Sequence, residues 1–525
     1  MSKTKEQVDR IIAEGIGRRR NVIVHMASPE KKPKQSLLHL ASEAIRKRLL
    51  SLSARDLLPV PMAKARRADP ARPGSRPAAG NRSLAAQVAA RMPLVLSLAR
   101  LKARGEAALR PLLRHDLVKK AVKEAKQVKA PAFWASKSVA LDIRKDDLSK
   151  LPDEVPLIDG VYANRLLRMP PVAQVRNLPV GILENQASAW GLSTIGALAA
   201  WGAYGARGQG VTIGLLDTGV DDTHPDLLDG KGNKKVTRWA EFDADGRMVP
   251  NSTAHDTDLH GTHCAGILVG GSRSGKWIGV APDARLAVAL VLDGKKGGGT
   301  DAQILAGMNW AIEEGVDVIS MSLGGLVISS LPTGNLMLNL EIPSTYTETI
   351  FTALEAGIPV VTAIGNEGSQ TTGLPGNDMF AFAVGATDYR DRPAGFSGGR
   401  THIIRESDYL PEDLLPLPYS KPDISAPGVA ITSCVPKQKY AELSGTSMAT
   451  PHVAGAVALL LSACPSIRKV PANERAFLIQ DFMTGSATLL GEAGQDHRYG
   501  FGRIEVLRAI GYGREWEQGP QKRRR

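Results

Sequence analysis

Short apolar runs alternate with longer helical patterns between residues 211 and 464. The short runs are rich in β-branched residues, which is typical of strands buried on both faces of a sheet. They lie at residues 211–216, 286–292, 316–321, 358–362 and 381–384. Helical patterns lie at residues 261–269, 301–314, 346–356 and 450–464. This alternation predicts an α/β fold with a doubly wound, mostly parallel sheet and helices on both faces. Residues 326–344 and 398–420 are expected to form surface loops.

The pattern before residue 183 is different and predicts a separate, smaller unit. Residues 1–82 combine a helical start, a short strand at 21–25, a helix at 36–52 and a stretch at 59–82 that is rich in Pro, Ala, Gly and Arg. That last stretch is typical of a flexible linker, so we expect the region to be partly disordered. A small α+β domain is predicted over residues 83–175, with helical spacing at 83–128, a strand at 133–143, a short helix at 146–157 and a returning strand at 161–166.

Charge is distributed unevenly along the chain. Residues 1–150 contain 34 Lys and Arg against 13 Asp and Glu, whereas the remaining residues contain 32 and 40. The basic excess therefore belongs to the N-terminal third. That third has few aromatic residues and no recognised nucleic-acid motif. We therefore interpret its basic residues as part of a solvated spacer and do not expect nucleic acid as a partner. Residues 513–525 are predicted to be a basic, solvated tail.

Composition limits the disulfides, metal sites, membrane contacts and cellular locations that are expected for this chain. The three cysteines, Cys264, Cys434 and Cys464, include no C-x-x-C pair, so neither a disulfide framework nor a cysteine-built metal site is expected. No stretch approaches the apolar length of a membrane span, so a membrane is not an expected partner. The N-terminus has no apolar segment typical of a signal peptide, which predicts a cytoplasmic location or export by a non-standard route.

Three polar residues stand where predicted buried elements begin or end. Asp217 closes the run 211–216, His260 precedes the helical pattern 261–269, and Ser447 precedes the helix at 450–464, with Pro451 expected in its first turn. Each has an ordinary interpretation by itself: a turn former, a packing residue and a helix cap. Together they are an orienting carboxylate, a base and a nucleophile, the set that acyl transfer requires. The N–H groups at a helix start also favour a developing anion.

The segments around these residues resemble motifs of the subtilase (subtilisin-like) serine peptidases. The matches are DTGVD at Asp217, HGTHCAG at His260, AIGNEG at Asn366 and GTSMATPH at Ser447, within a resemblance over residues 183–512. The resemblance implies a subtilisin-like fold and a serine endopeptidase that forms an acyl-enzyme. It implies Asp217, His260 and Ser447 as the catalytic triad and Asn366 as the oxyanion donor.

Further roles follow from the same resemblance. Gly297, Gly298 and Gly299 resemble one of the family's two substrate-binding edges, and Ser322, Leu323 and Gly324 resemble the other; an extended peptide would bind between them through its main chain. His224, His263 and His452 do not match the catalytic position and are interpreted as structural. Cys264, four residues after His260, is expected to lie near the site without acting as a nucleophile. No cofactor is required and no metal ligand is assigned, although calcium stays open.

The layout of the N-terminal region, with the pattern FW-x-x-x-x-VAL from Phe133, resembles the family's propeptide. It implies that the chain cuts itself between Arg168 and Ala189, and that the N-terminal residues then act as an intramolecular inhibitor. An accessory domain that is never removed is the alternative. For the whole chain, the alternative to an endopeptidase is a catalytically idle binding protein on a subtilase scaffold. The predicted divisions are 1–82, 83–175, a peptidase domain at 183–512, and 513–525.

Overall fold

The computed structural model describes residues 3–14, 17–27, 97–169, 171–178, 188–325, 345–404 and 415–518. The predicted helix at 36–52, the linker at 59–82 and the loop at 326–344 lie outside these residues.

The N-terminal region forms an α+β domain from two separate parts of the chain. Its elements are α1 Lys3–Glu14, β1 Arg19–Met26, α2 Leu98–Arg114, α3 Asp116–Glu124, β2 Ala132–Phe133, β3 Ser138–Arg144, α4 Lys145–Leu148, α5 Leu151–Glu154 and β4 Ile158–Ala163. The sheet order is β2-β3-β1-β4, and β1 pairs antiparallel with both β3 and β4. The domain was predicted to begin at residue 83, but its sheet contains a strand from the first 26 residues as well.

Alternate side chains of β1 pack on opposite faces of this sheet. Val22 and Val24 join a cluster of buried side chains with Leu109 and Leu112 of α2. Ile23, between them, belongs instead to a cluster made mostly of residues after 200. Because strand side chains alternate between faces, the domain's own helices cover one face of the sheet and the following unit covers the other.

The predicted single strand at 133–143 is a hairpin. β2 and β3 are separated by a turn at residues 134–137, in which Lys137 has a φ of 51°. A turn with a lysine in the left-handed region is uncommon, which explains why the sequence pattern did not indicate a break there.

The larger unit is built around a seven-stranded parallel sheet. Two short strands precede it, β5 Leu166–Arg168 and β6 Ala173–Leu178. Its elements are α6 Trp190–Thr194, α7 Ala197–Tyr204, β7 Thr212–Asp217, β8 Val236–Glu241, α8 His260–Val269, β9 Arg285–Leu290, β10 Gly298–Thr300, α9 Asp301–Glu313, β11 Val318–Met321, α10 Thr347–Glu355, β12 Val360–Ala363, β13 Phe382–Thr387, β14 Arg400–Ile404, β15 Leu417–Lys421, β16 Ile424–Pro427, β17 Ile431–Val435, β18 Lys439–Ser444, α11 Thr446–Ala463, α12 Ala472–Ser486 and α13 Val506–Gln518. Single 3₁₀ turns lie at Pro225–Leu227 and Pro465–Lys469. The strands of the parallel sheet lie in the order β16-β13-β12-β11-β7-β9-β8. The predicted α/β fold is confirmed.

Two boundaries differ from the predictions. The segment 398–420, predicted as a loop, contains the antiparallel pair β14 and β15. Helix α13 continues past residue 512 to Gln518, because Gly513 is buried against Leu460 and Cys464 and the helix is still packed at that point.

Helix α11 passes through the core of this unit. It is 18 residues long and apolar enough to meet the length and composition of a membrane span, contrary to the expectation from the sequence. Nearly all of it is buried inside the protein, which is typical of a central helix in a large α/β domain. The helix begins at Thr446, four residues earlier than predicted, so Ser447 lies within its first turn.

Candidate active site

The three predicted triad residues lie at the edge of the sheet where its strands end. Asp217 is the last residue of β7, His260 is the first residue of α8, and Ser447 is the second residue of α11. All three are almost completely buried. Parallel strands end at a common edge, so residues far apart in the chain meet there.

A short hydrogen bond fixes the imidazole of His260. Its Nδ1 lies 2.7 Å from Asp217 Oδ1, which also accepts a bond from the Thr218 N–H at 2.7 Å. A carboxylate can only accept here, so Nδ1 carries the proton and Nε2 is the basic nitrogen. Burial lowers the pKa of His260, but the charge and hydrogen bond of Asp217 and the neighbouring Cys264 together outweigh burial, so the pKa is raised well above its ordinary value. Among the described residues, Nε2 has no hydrogen-bond partner.

Ser447 exchanges hydrogen bonds with Ser322, at the end of β11. Ser447 Oγ donates to the Ser322 carbonyl at 3.3 Å, and Ser322 Oγ donates to the Ser447 carbonyl at 2.8 Å. The second bond depends on Pro451, which lies beyond the first turn, contrary to the prediction. Proline has no N–H to give to the carbonyl four residues earlier, so the Ser447 carbonyl accepts from Ser322 instead. The Cys264 thiol also donates to it, at 3.6 Å.

The side-chain amide of Asn366 has one orientation. Its Oδ1 accepts from the N–H and the hydroxyl of Thr446, both at 2.8 Å. Because a backbone N–H can only donate, the NH₂ group must face the other way. There Nδ2 donates to the carbonyl of Pro171 at 3.0 Å. A carbonyl of the chain itself therefore occupies the donor that was predicted to bind the oxyanion.

Two strands, β5 and β6, flank Pro171 along the chain. β5 pairs antiparallel with β10, with Leu167 opposite Gly299, and the Met169 N–H donates to the Gly297 carbonyl at 2.9 Å. On the other side, β6 pairs antiparallel with β18, next to the start of α11. The chain forms β6 here because β18 supplies a free edge.

The two predicted substrate-binding edges differ in their contacts. The edge with Gly297, Gly298 and Gly299 carries the pairing with β5. In the described part of the chain, no backbone hydrogen bond joins Ser322, Leu323 or Gly324 to the segment in the cleft. Ser322 contacts Ser447 instead.

The other three histidines bond to the backbone. Nε2 of His263 lies 3.1 Å from the Ile431 carbonyl and 3.2 Å from that of Ala441, and burial lowers the pKa of His263 to about 3. His452 Nδ1 bonds the Met448 carbonyl at 2.8 Å, and burial lowers its pKa to about 4. His224 Nε2 bonds the Lys439 carbonyl at 3.2 Å. The bonds of His263 and His224 join separate elements, whereas His452 bonds a carbonyl of its own helix, α11.

Cys264 lies one helical turn after His260, with its sulfur 3.9 Å from Nδ1. Burial raises the pKa of the thiol, so it is protonated near neutral pH. Asp217, His260 and Cys264 bring metal-ligating atoms within 4.8 Å of one another. The carboxylate and the imidazole already share a hydrogen bond there, so a metal ion would have to replace that bond.

Two residues that support the site were missed by the sequence analysis. The hydroxyl of Thr218 donates to Asp256 Oδ1 at 2.7 Å and accepts the Gly261 N–H at 2.9 Å. Asp256 also accepts the Thr262 N–H at 2.8 Å, so it fixes the first turn of α8 that carries His260. Thr218 stood within the DTGVD motif and could have been proposed, whereas Asp256 lies in a loop without a recognisable pattern.

Known proteins are similar to this chain. A model of the Subtilase family matches residues 208–502. Subtilisin E of Bacillus subtilis (strain 168) is 34% identical over 358 residues, which cover 67% of this chain and 79% of subtilisin E. Subtilisin of Bacillus pumilus is 34% identical over 330 residues, 62% of this chain and 99% of that protein. The major intracellular serine protease of Bacillus subtilis (strain 168) is 35% identical over 278 residues, 52% of this chain and 74% of that protein. Subtilases generally need no organic cofactor. The chain therefore belongs to the subtilase family and is a subtilisin-like serine endopeptidase, which acts on peptides or proteins.

Proposed function

We propose that Ser447 attacks the carbonyl carbon of a peptide bond and forms an acyl-enzyme. His260 Nε2 takes the Ser447 proton and then gives it to the leaving amine, and Asp217 holds the imidazole in the required tautomer and stabilises its charged form. A water activated by His260 releases the acyl group. The observation that carries this proposal is the buried Asp217–His260 pair, which leaves Nε2 as the basic nitrogen beside the helix start that bears Ser447.

The oxyanion would be held by Asn366 Nδ2 and the backbone N–H of Ser447. The amide is fixed in advance by its two bonds from Thr446, so no reorganisation is needed when charge develops. Ser447 Oγ bonds Ser322 in this structure and would have to turn toward His260 before the attack.

The N-terminal region would be cut off by this same machinery. The strands β5 and β6 lie on either side of the point in the cleft where the Pro171 carbonyl accepts from Asn366. We therefore narrow the cut expected between Arg168 and Ala189 to the bond between Pro171 and Val172. The α+β domain, formed by residues 3–26 and 97–163, would stay bound as an inhibitor until it is degraded.

Calcium, for which no site is assigned, is a candidate stabilising ion.

The test compares the wild-type chain with Ser447→Ala. The wild type should react with a fluorophosphonate probe, hydrolyse a denatured protein and show the mass of a chain beginning at Val172. Ser447→Ala should do none of these and stay full length. Ser462→Ala, on the same helix and away from the site, is the matched control and should behave as the wild type.

The alternative, a catalytically idle binding protein, predicts no probe labelling in any variant. A wild-type chain that is labelled and active but stays full length would support the accessory-domain interpretation and refute self-cleavage. The bonded Asp217–His260 pair supports the peptidase proposal over the alternative.

A further inference from the structure

A buried carboxylate lies directly beside the strand in the cleft. Asp301 follows β10 as the first residue of α9, and its side chain has no exposed surface. The hydroxyl of Tyr346 donates to Asp301 Oδ1 at 2.6 Å. Burial and the neighbouring carboxylate raise the pKa of Tyr346 well above its ordinary value, so the tyrosine stays a donor. One neutral hydroxyl compensates a buried negative charge only in part, so this position favours a cation.

Arg165 supplies that cation. Its backbone N–H and its Nε both donate to Asp301 Oδ2, at 3.0 and 2.9 Å, and Nη2 lies 3.5 Å from Oδ1. Nη2 is also 3.5 Å from the hydroxyl of Thr345. In return, the Asp301 N–H donates to the Arg165 carbonyl at 2.9 Å. The pocket therefore contacts both the main chain and the guanidinium of the same residue.

Arg165 continues the strand that occupies the cleft. Leu166, Leu167 and Arg168 pair with the β10 edge, and the chain then reaches Asn366 with the carbonyl of Pro171. Arg165 thus stands six residues before the carbonyl on the oxyanion donor. A substrate bound in the same extended register would place its own side chain at this pocket.

We propose that Asp301 is a specificity-determining residue that selects substrates with a basic residue, preferably arginine, six positions before the residue whose carbonyl is attacked. Arginine is preferred over lysine because its planar guanidinium can donate in parallel to both carboxylate oxygens. This inference rests on the proposed function, since it treats the segment in the cleft as a substrate mimic.

The test uses two fluorogenic peptides with the sequence of residues 164–175, one with arginine and one with citrulline at the position of Arg165. Citrulline has nearly the same shape but no charge. The concentration of active, processed enzyme is first determined by titration with a fluorophosphonate probe. The value of kcat/KM is then measured for each peptide. A peptide that binds without being cut is measured by its inhibition constant. We expect a preference of about tenfold for arginine, which 0.5 M salt reduces.

Variants assign the preference to the carboxylate. In Asp301→Asn, and in the smaller Asp301→Ser as a second variant, the preference should fall below about twofold. Asp283→Asn removes a carboxylate from the exposed pair with Arg207 and should keep the preference. Equal values for the two peptides in labelled wild-type enzyme, or a preference that survives in both Asp301 variants, would overturn the inference. A wild-type chain that takes no probe would refute the proposed function instead.

Discussion

The α+β domain and the peptidase unit bury their sheets in different ways. The seven-stranded sheet of the peptidase unit packs on both faces against elements that mostly belong to the same unit. In the α+β domain, Val24 faces the domain's own helices, whereas Ile23 and Ala140 on the opposite face pack into the peptidase unit's core. The peptidase sheet is covered mostly by its own unit, whereas one face of the sheet in the α+β domain is covered by the peptidase unit. Removing the smaller unit would therefore expose apolar surface on both partners.

The contact between the two units is centred on the hairpin turn after β2. The Trp134 indole donates to Glu313, and the Ala135 backbone bonds Asn309 and Thr352 on α9 and α10. The Lys137 ammonium lies 2.8 Å from Glu348. Polar contacts on two helices thus fix a docked position that the apolar face alone would not define.

The largest effect is expected inside the self-contained unit. Asn366→Leu should lower kcat by about 10²- to 10³-fold with little change in KM, because its amide acts chiefly as charge develops. Thermal unfolding should change much less than catalysis. Steady-state kinetics on processed enzyme measure the effect, and an unchanged kcat would remove Asn366 from the oxyanion role.

Two neighbouring substitutions in β1 test whether the faces of the small sheet have different partners. In the uncut Ser447→Ala chain, Val24→Ala should lower the free energy of unfolding of the α+β domain by about 2 kcal/mol through a lost buried contact. Ile23→Ala should instead loosen docking. Hydrogen exchange measures both: it should rise within the domain for Val24→Ala, and also along α10 for Ile23→Ala. Identical exchange patterns would contradict the two-face description.

A pH effect on stability is expected in the shared unit, the α+β domain, at His25. Burial and the charge of Lys137 lower the pKa of His25. Asp159, which is bonded to the imidazole, and Glu348 across the interface raise it, and the net pKa is raised. Because the folded pKa lies above the unfolded value of about 6.5, this stabilisation is complete below that pH and is lost as pH rises through the folded value. The domain in the Ser447→Ala chain should thus lose up to about 1.4 kcal/mol per pH unit there.

Thermal unfolding between pH 6 and 9 measures this dependence, and His25→Gln is the control. The variant should be less stable at pH 6 and show a flatter profile. A wild-type profile that rises with pH would show that other groups dominate.

The smallest effect on activity is expected at Cys264. Cys264→Ser should keep activity within about twofold and lose sensitivity to bulky thiol reagents, because a modified sulfur 3.9 Å from His260 Nδ1 would displace the imidazole. Activity assays before and after treatment with such a reagent measure both. An inactive serine variant would mean that the thiol has a larger role.

The peptidase unit was more predictable from sequence than the α+β domain for a physical reason. Asp217, His260 and Ser447 each lie in a short segment whose glycines and small residues show locally how the backbone must turn. β1 and β3 are more than a hundred residues apart in the chain, so nothing near Val22 indicates its partner Leu141. The turn at Lys137 also lacks glycine or proline.

Contacts that satisfy backbone atoms were equally hidden. The role of Pro451 depends on Ser322, and the bond from Asn366 to Pro171 depends on the path of β5 and β6. Both arise only when distant segments meet.

Pro451 has a consequence for protein engineering. By withholding one N–H, it leaves the Ser447 carbonyl as an acceptor that residues 264 and 322, from two other segments, share. Replacing Pro451 with a better helix former would close the helix bond and leave the Ser322 hydroxyl in a buried site without its acceptor. Positions 264, 322 and 451 should therefore be redesigned together, and a helix-stabilising change at 451 alone is expected to displace Ser447.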